Sequence, residues 1–266
     1  MLAWLLSVAV LQSAWSAPPT ALTPPARVAV VGASVSAGFV HGVLTGGSIN
    51  NDSVPASDVA KALYDKAKVD AFANVWLFRN PARLGAMQVA SARAAAPDLT
   101  LAVDFLFWFG YGAHHARLKA QAEGLRLLGM LPGEVIVGDY PDMRGASRRM
   151  LRPSQIPDAG TLDELNRRVY AFAANRPNVR VFPLARWIHS ARAHGYRWRT
   201  PKGCVVTLPA KDLFQSDRLH ASRLGMAVLG LELARFVGTR RGLVTLAKKL
   251  GAEKALLKAM RASGCR

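Results

Sequence analysis

From Arg27 onward the chain alternates short apolar runs with longer amphipathic ones. Arg27–Gly32 (RVAVVG) is β-branched and ends at a glycine, the pattern of a buried parallel strand feeding a turn. Ser57–Val69 has helical spacing, Val75–Phe78 reads as a second strand, and Ala82–Ala95 as a helix stopped by Pro97-Asp98. A third strand is expected at Leu99–Phe105, a helix at Ala113–Leu128 and a fourth strand at Glu134–Val137. Thr161-Leu-Asp-Glu164 has the S/T-x-x-E form of a capping box and predicts a helix over Thr161–Asn175. Val179–Phe182 reads as a fifth strand and Ala221–Val237 as a closing helix. Strand then helix, five times over, predicts a three-layer α/β domain of flavodoxin-like type, with a five-stranded parallel sheet between helices. In such sheets a ligand sits outside the carboxyl ends of the strands, at the switch point.

The ends of the chain read differently. Residues 2–16 are almost free of charge, and the run is shorter than the roughly 20 residues a membrane span needs. Small residues at Ala14, Ser16 and Ala17 follow it, then Pro18. Residues 1–17 are therefore expected to be a signal peptide, although without an initial Lys or Arg, which makes the mature protein secreted or periplasmic. Residues 18–26 form a Pro-rich linker, 27–238 the domain, and 239–266 a basic tail. Within the domain, 41–55 is rich in Gly, Ser and Asn and reads as a loop. In the tail, Leu243–Ala262 is expected as one amphipathic helix. Leu243, Leu246, Leu250, Leu256 and Leu257 can share a face, either packed on the domain or docked to a membrane surface or a partner.

Charge and cysteines narrow the setting. With 35 Lys and Arg against 17 Asp and Glu, the net charge is +18. That favours anionic partners. The charge is spread along the chain with no aromatic-interleaved basic motif, so an anionic envelope surface is expected and nucleic acid is not. An exported chain with two cysteines, Cys204 and Cys265, permits one disulfide, with two unrelated thiols as the alternative.

Candidate chemistry gathers at two places. The first strand ends in Gly32-Ala-Ser-Val-Ser-Ala-Gly38, which puts Ser34 at the mouth of the expected crevice. A helix starting there would turn free N–H groups toward a substrate oxygen. A serine hydroxyl needs a base, and Asp217-Arg-Leu-His220 supplies one just ahead of a helix. That spacing lets Asp217 hold one imidazole nitrogen of His220 while the other faces Ser34.

These two blocks resemble the opening GDSL block and the closing D-x-x-H block of the GDSL/SGNH hydrolases, in the same order. Gly138-Asp-Tyr-Pro-Asp142 and Asn178–Leu184 (NVRVFPL) are also similar to the family, and the resemblance covers roughly residues 27–237. It implies cleavage of an ester or thioester in a small molecule, lipid or glycan through an acyl-enzyme on Ser34, with no metal or cofactor. It also implies three oxyanion donors: the Ser34 N–H, a glycine N–H after the second strand and an Asn side chain after the third. The last two blocks depart from the family. Phe78-Arg-Asn-Pro81 stands where the glycine is expected, and Asp104 where the G-x-N-D block should begin. Asn80 and Asp104 are thus the candidate replacements, and Asp104 would have to be protonated or held by a neighbour such as Arg79.

Other readings of the same residues stand beside this one. VAVVGAS is similar to a nucleotide-binding turn but lacks the second glycine of G-x-G-x-x-G. Ser36 could serve a G-x-S-x-G elbow, although Ser34 occupies the first glycine position. Asp139 and Asp142 could bind a metal with His220, as in a phosphoesterase, or could simply shape a turn. Asp217 could merely cap a helix. His114 and His115 point apart, and His41, His189 and His194 lack partner spacing. The aromatic run Phe105–Tyr111 is either core or the wall of an acyl pocket. A binding module on the same fold, at the cell envelope, is the alternative to an enzyme.

Overall fold

The computed structural model describes residues 22–39, 53–112 and 114–265. The expected signal peptide, residues 18–21 of the Pro-rich linker, and residues 41–52 of the expected loop with His41 lie outside the described residues. The elements run β1 (Arg27–Val30), a one-turn helix α1 (Ser34–Ala37), α2 (Ala56–Leu63), β2 (Lys68–Ala71), α3 (Pro81–Ala94), β3 (Leu99–Ala102), α4 (Phe107–Gly110), α5 (Arg117–Leu128) and β4 (Glu134–Gly138). They continue with α6 (Ala159–Ala174), β5 (Val179–Phe182), α7 (Leu184–His194), β6 (Tyr196–Arg199), β7 (Val205–Leu208), α8 (Ala210–Leu213), α9 (Arg223–Phe236), α10 (Leu243–Lys249) and α11 (Glu253–Ala262). The first five strands form one parallel sheet in the order β2-β1-β3-β4-β5, flanked by helices: a flavodoxin-like α/β fold.

That order locates the crevice. The chain leaves β1 for β2 on one side, then crosses back to place β3 on the other. Because crossovers keep one hand, α2 and α3 fall on opposite faces, and a gap opens beyond the carboxyl ends of β1 and β3. Val28–Val31 are fully buried, as the β-branched run predicted. On one face α2 packs with α9, an almost wholly buried helix; on the other α3 packs with α5 and α5 with α6.

Several expectations are corrected. The second strand is Lys68–Ala71, not Val75–Phe78. As a sheet edge it is half exposed and carries Lys68 and Asp70, so it has no apolar signature, and Ser57–Val69 divides into helix and strand. Val75–Arg79 is a 3-10 helix whose Trp76 and Phe78 face outward. The helix expected from Thr161 begins at Ala159: Asp158 caps it by accepting the Thr161 N–H, and Glu164 pairs with Arg167 and Arg168. Helix α7 and the antiparallel hairpin β6–β7 had no counterpart in the expected elements.

The tail is two helices, not one. Gly251, at φ +69°, breaks it, and Leu243, Leu246, Leu250 and Leu256 are buried while Leu257 is exposed. Asp65 pairs with Arg241 and Lys249, fastening α10 beside the end of α2. The Cys204–Cys265 disulfide joins the start of β7 to the chain's last residues. No helix among the described residues is long and apolar enough to cross a membrane.

Candidate active site

The turn after β1 carries the nucleophile candidate. Gly32, at φ +151°, is held by a reciprocal pair with the buried Gln88 amide: its N–H donates to Gln88 Oε1 at 2.7 Å and its carbonyl accepts from Gln88 Nε2 at 3.0 Å. A Cβ at Gly32 would lie 2.1 Å from Asp104 Oδ1, so only glycine fits. Directly after it, α1 starts at the half-buried Ser34.

Asp104, one turn beyond β3, braces that start from beneath. Its carboxylate accepts the backbone N–H groups of Ala33 (3.0 Å), Val35 (2.9 Å) and Ser36 (3.2 Å) and the Ser36 hydroxyl (2.5 Å). Burial pushes this carboxyl above its ordinary range, while the four donors pull the other way. The Ser34 N–H has no acceptor among the described residues, so it remains available at the nucleophile turn.

The base arrives from the far end of the chain. His220 Nε2 lies 2.8 Å from Ser34 Oγ, and His220 Nδ1 lies 2.6 Å from Asp217 Oδ2. Both His220 and Asp217 are almost fully buried. The other oxygen of Asp217 accepts the N–H groups of Leu219 (2.9 Å) and His220 (3.0 Å), which curls the D-x-x-H segment into a tight turn. Burial alone would raise the Asp217 carboxyl; the His220 imidazole and these N–H donors outweigh it and hold the carboxyl below its usual range.

Two residues that sequence reasoning missed complete the scaffold. The Phe39 ring stacks on the His220 imidazole with centroids 4.0 Å apart. Gln215 Nε2 donates to the carbonyls of Phe39 (2.9 Å) and Ala221 (3.0 Å), tying the nucleophile loop to the histidine loop. Ser222 caps α9 by accepting the Gly225 N–H, so Asp217 is free of that duty. Gln88, which braces Gly32, was missed as well and offered only a faint signal, as a polar residue within a helix. Phe39 offered none, since its partner lies 181 positions away.

The other candidates fall elsewhere. Asn80 is exposed and caps α3 by accepting the Arg83 N–H at 3.1 Å, and it does not line the Ser34 cleft. Asp104 is an acceptor below the turn and presents no donor toward Ser34 Oγ. Arg79 lies over the Trp76 ring, not against Asp104. Moving the second strand to 68–71 puts Phe72-Ala73-Asn74 after it, again without a glycine; there the Asn74 N–H donates to Gly32 O at 3.0 Å. Ser36 is buried on Asp104, away from His220. Asp139 starts α7 by accepting the Ala185 N–H and takes the Tyr170 hydroxyl, and Asp142 pairs with Arg144. Neither carboxylate is bonded to His220, and among the described residues no group of three or more His, Cys, Asp or Glu is placed to hold a metal ion.

Ser34 and His220 open onto a cleft of about 690 Å³, walled by Trp76, Phe78 and Trp108 with Arg149 and Arg152 among its lining. The 105–111 aromatic run therefore divides: Phe105, Phe109 and Tyr111 are core, and Trp108 is wall.

No family model matches this sequence, and no curated protein matches it. Three solved structures are similar to it. BT4096, a gut microbial diltiazem-metabolizing enzyme, is 10% identical with a TM-score of 0.48, over 82% of this chain and 48% of that one. This chain thus spans about half of that protein's length. The acetylxylan esterase Axe2 from Geobacillus stearothermophilus is 15% identical with a TM-score of 0.44, over 80% of this chain and 94% of that one. A catalytic mutant of Axe2 is 16% identical with a TM-score of 0.45, over 81% and 96%.

Proposed function

We propose that this protein is a serine hydrolase of the GDSL/SGNH type, which cleaves an ester or thioester through an acyl-enzyme on Ser34. The observation that carries the reading is the continuous contact from Asp217 through His220 to Ser34, at 2.6 and 2.8 Å. His220 Nε2 takes the hydroxyl proton as Ser34 Oγ bonds to the carbonyl carbon, and Asp217 steadies the imidazolium. The carbonyl oxygen takes up the electron pair and meets the Ser34 N–H at the start of α1. The intermediate collapses, the leaving alkoxide or thiolate receives the proton from Nε2, and the acyl group stays on Oγ. Water then gives a proton to His220 and attacks the acyl carbon; collapse releases the acid and returns the proton to Ser34.

Small-molecule, lipid or glycan esters all suit this chemistry. An exported location is part of the proposal, supported by the apolar 2–16 segment and the Cys204–Cys265 disulfide. A positively charged surface suits anionic envelope components.

A binding module on the same fold is the second reading. It is favoured by the donor set: among the described residues the Ser34 N–H is the oxyanion donor assigned here, and loss of one donor typically costs about 10²–10³ in rate. A fluorophosphonate probe separates the two. Stoichiometric labelling at Ser34, abolished in Ser34→Ala together with hydrolysis of short p-nitrophenyl esters, is expected. Folded protein that takes no label, or a Ser34→Ala variant with full activity, would falsify the hydrolase reading.

A further inference from the structure

A second hollow of about 420 Å³ adjoins the Ser34 cleft, and the two share Phe78, Trp108 and Gln155 as walls. Its other walls include Phe109 and Tyr111, and it also contains Arg117, the first residue of α5.

Arg117 is 3% exposed, yet among the described residues no carboxylate forms a salt bridge with it. One nitrogen, Nη2, donates to Ser154 O at 2.8 Å, while Nε and Nη1 are buried without a partner. Asp158 is near enough for its charge to act on Arg117, but its two oxygens accept the Thr161 N–H and hydroxyl. A buried cation with two idle donors is costly unless something anionic meets it. The start of the twelve-residue α5, which has no side-chain cap, adds positive potential at the same place. Among the described residues, neither hollow is lined by an Asp or Glu, and Arg149 and Arg152 stand in the Ser34 cleft.

We infer that this hollow is a subsite for an anionic arm of the ligand. The ligand has a short apolar stretch that runs along Phe78 and Trp108 and ends in a carboxylate or phosphate on Arg117. Taken with the hydrolase reading, on which this assignment of substrate class rests, the substrate is an ester with such a charged end on its acyl or alcohol side.

Calorimetric titration of the full chain with hexanoate, hexyl phosphate and neutral hexanamide tests the subsite without catalysis. Both anions, or one of them, should bind about tenfold or more tighter than the amide, as a charge-assisted hydrogen bond implies. Which anion binds tighter distinguishes a carboxylate arm from a phosphate arm. Arg117→Met should reduce the preference to near one, and Arg117→Lys should keep part of it. Should Arg117→Met fail to fold, Ala120→Phe, which fills the hollow from its half-buried wall position, should remove the preference with Arg117 intact. Equal binding of anions and amide by the wild type overturns the inference, as does a preference that survives Arg117→Met or Ala120→Phe. Fluorophosphonate labelling keeps the two readings apart. Labelled protein without anion preference loses only the subsite; unlabelled protein with an Arg117-dependent preference loses only the hydrolase assignment.

Discussion

Asp104 Oδ1 accepts the Ser36 hydroxyl at 2.5 Å, two residues past the nucleophile candidate, while the same carboxylate gathers the N–H groups of Ala33, Val35 and Ser36. An acid from the end of β3 thus shapes the turn at the end of β1. It uses up the N–H groups on either side of Ser34 and leaves the one belonging to Ser34 itself.

Asp104→Asn is therefore expected to be severe despite its near-identical shape. Whichever way the amide turns, its NH2 faces donors: Ala33 N–H and Ser36 Oγ–H, or Val35 and Ser36 N–H. One or two unsatisfied buried donors cost about 2–4 kcal/mol. Urea unfolding should show that loss, and ester hydrolysis should show a lower kcat with KM less affected. Because burial raises this carboxyl in the folded state, the folded chain holds more protons between the ordinary and the raised pKa. Its contribution to stability falls as pH rises through that window, a slope that the non-titrating Asn variant lacks.

Asp217→Asn keeps the turn but loses the charge that supports His220, and Asn can present an N–H where imidazole Nδ1 also donates. A fall in kcat of about 10³–10⁴ is expected, with KM nearly unchanged. The folded pKa of Asp217 is depressed, so the unfolded chain binds more protons between the two values. The stabilisation it provides is fully present above the ordinary carboxylate pKa of about 4 and is lost as pH falls through the folded value. Unfolding measured across that acid range should show a steeper loss in the wild type than in the variant.

Arg218 sits between Asp217 and His220 at φ +56°, a left-handed conformation rare for a side chain of its kind. Glycine there relieves strain but adds freedom to the unfolded chain, so Arg218→Gly should stay within about 1 kcal/mol of the wild type. Arg218→Val, β-branched, should lose about 1–3 kcal/mol and lower the extent of fluorophosphonate labelling. Equal stabilities for the two variants would mean that the turn is not under this backbone constraint.

The Cys204–Cys265 bond closes a long loop, with a sequence separation of 61. Chain entropy gives such a loop about 4 kcal/mol of stabilisation. Cys204→Ser/Cys265→Ser should show most of that loss in denaturant titration and should match the wild type treated with reductant. Labelling of Ser34 should persist under conditions in which both remain folded.

Much of this protein was legible in one dimension because the signals were local. The buried strands β1 and β4 announce themselves by β-branched runs, since a strand covered on both faces has no polar side. The contact of Ser34, His220 and Asp217 could be anticipated because the proposed chemistry fixes their residue types, and because Asp217 and His220 stand only three positions apart. Tertiary structure decided what depends on distant partners. Lys68–Ala71 is a strand only because β1 offers it an edge, and Val75–Phe78 lost that role because the edge was already taken. Asp104 resembled a displaced oxyanion donor until folding brought it under three N–H groups some 70 residues away. Phe39, Gln215 and the half-satisfied guanidinium of Arg117 acquire meaning only through neighbours that the sequence keeps apart. Local propensity and patterning are carried by adjacent residues, whereas hydrogen-bond accounting in a buried site is settled only when the chain has closed on itself.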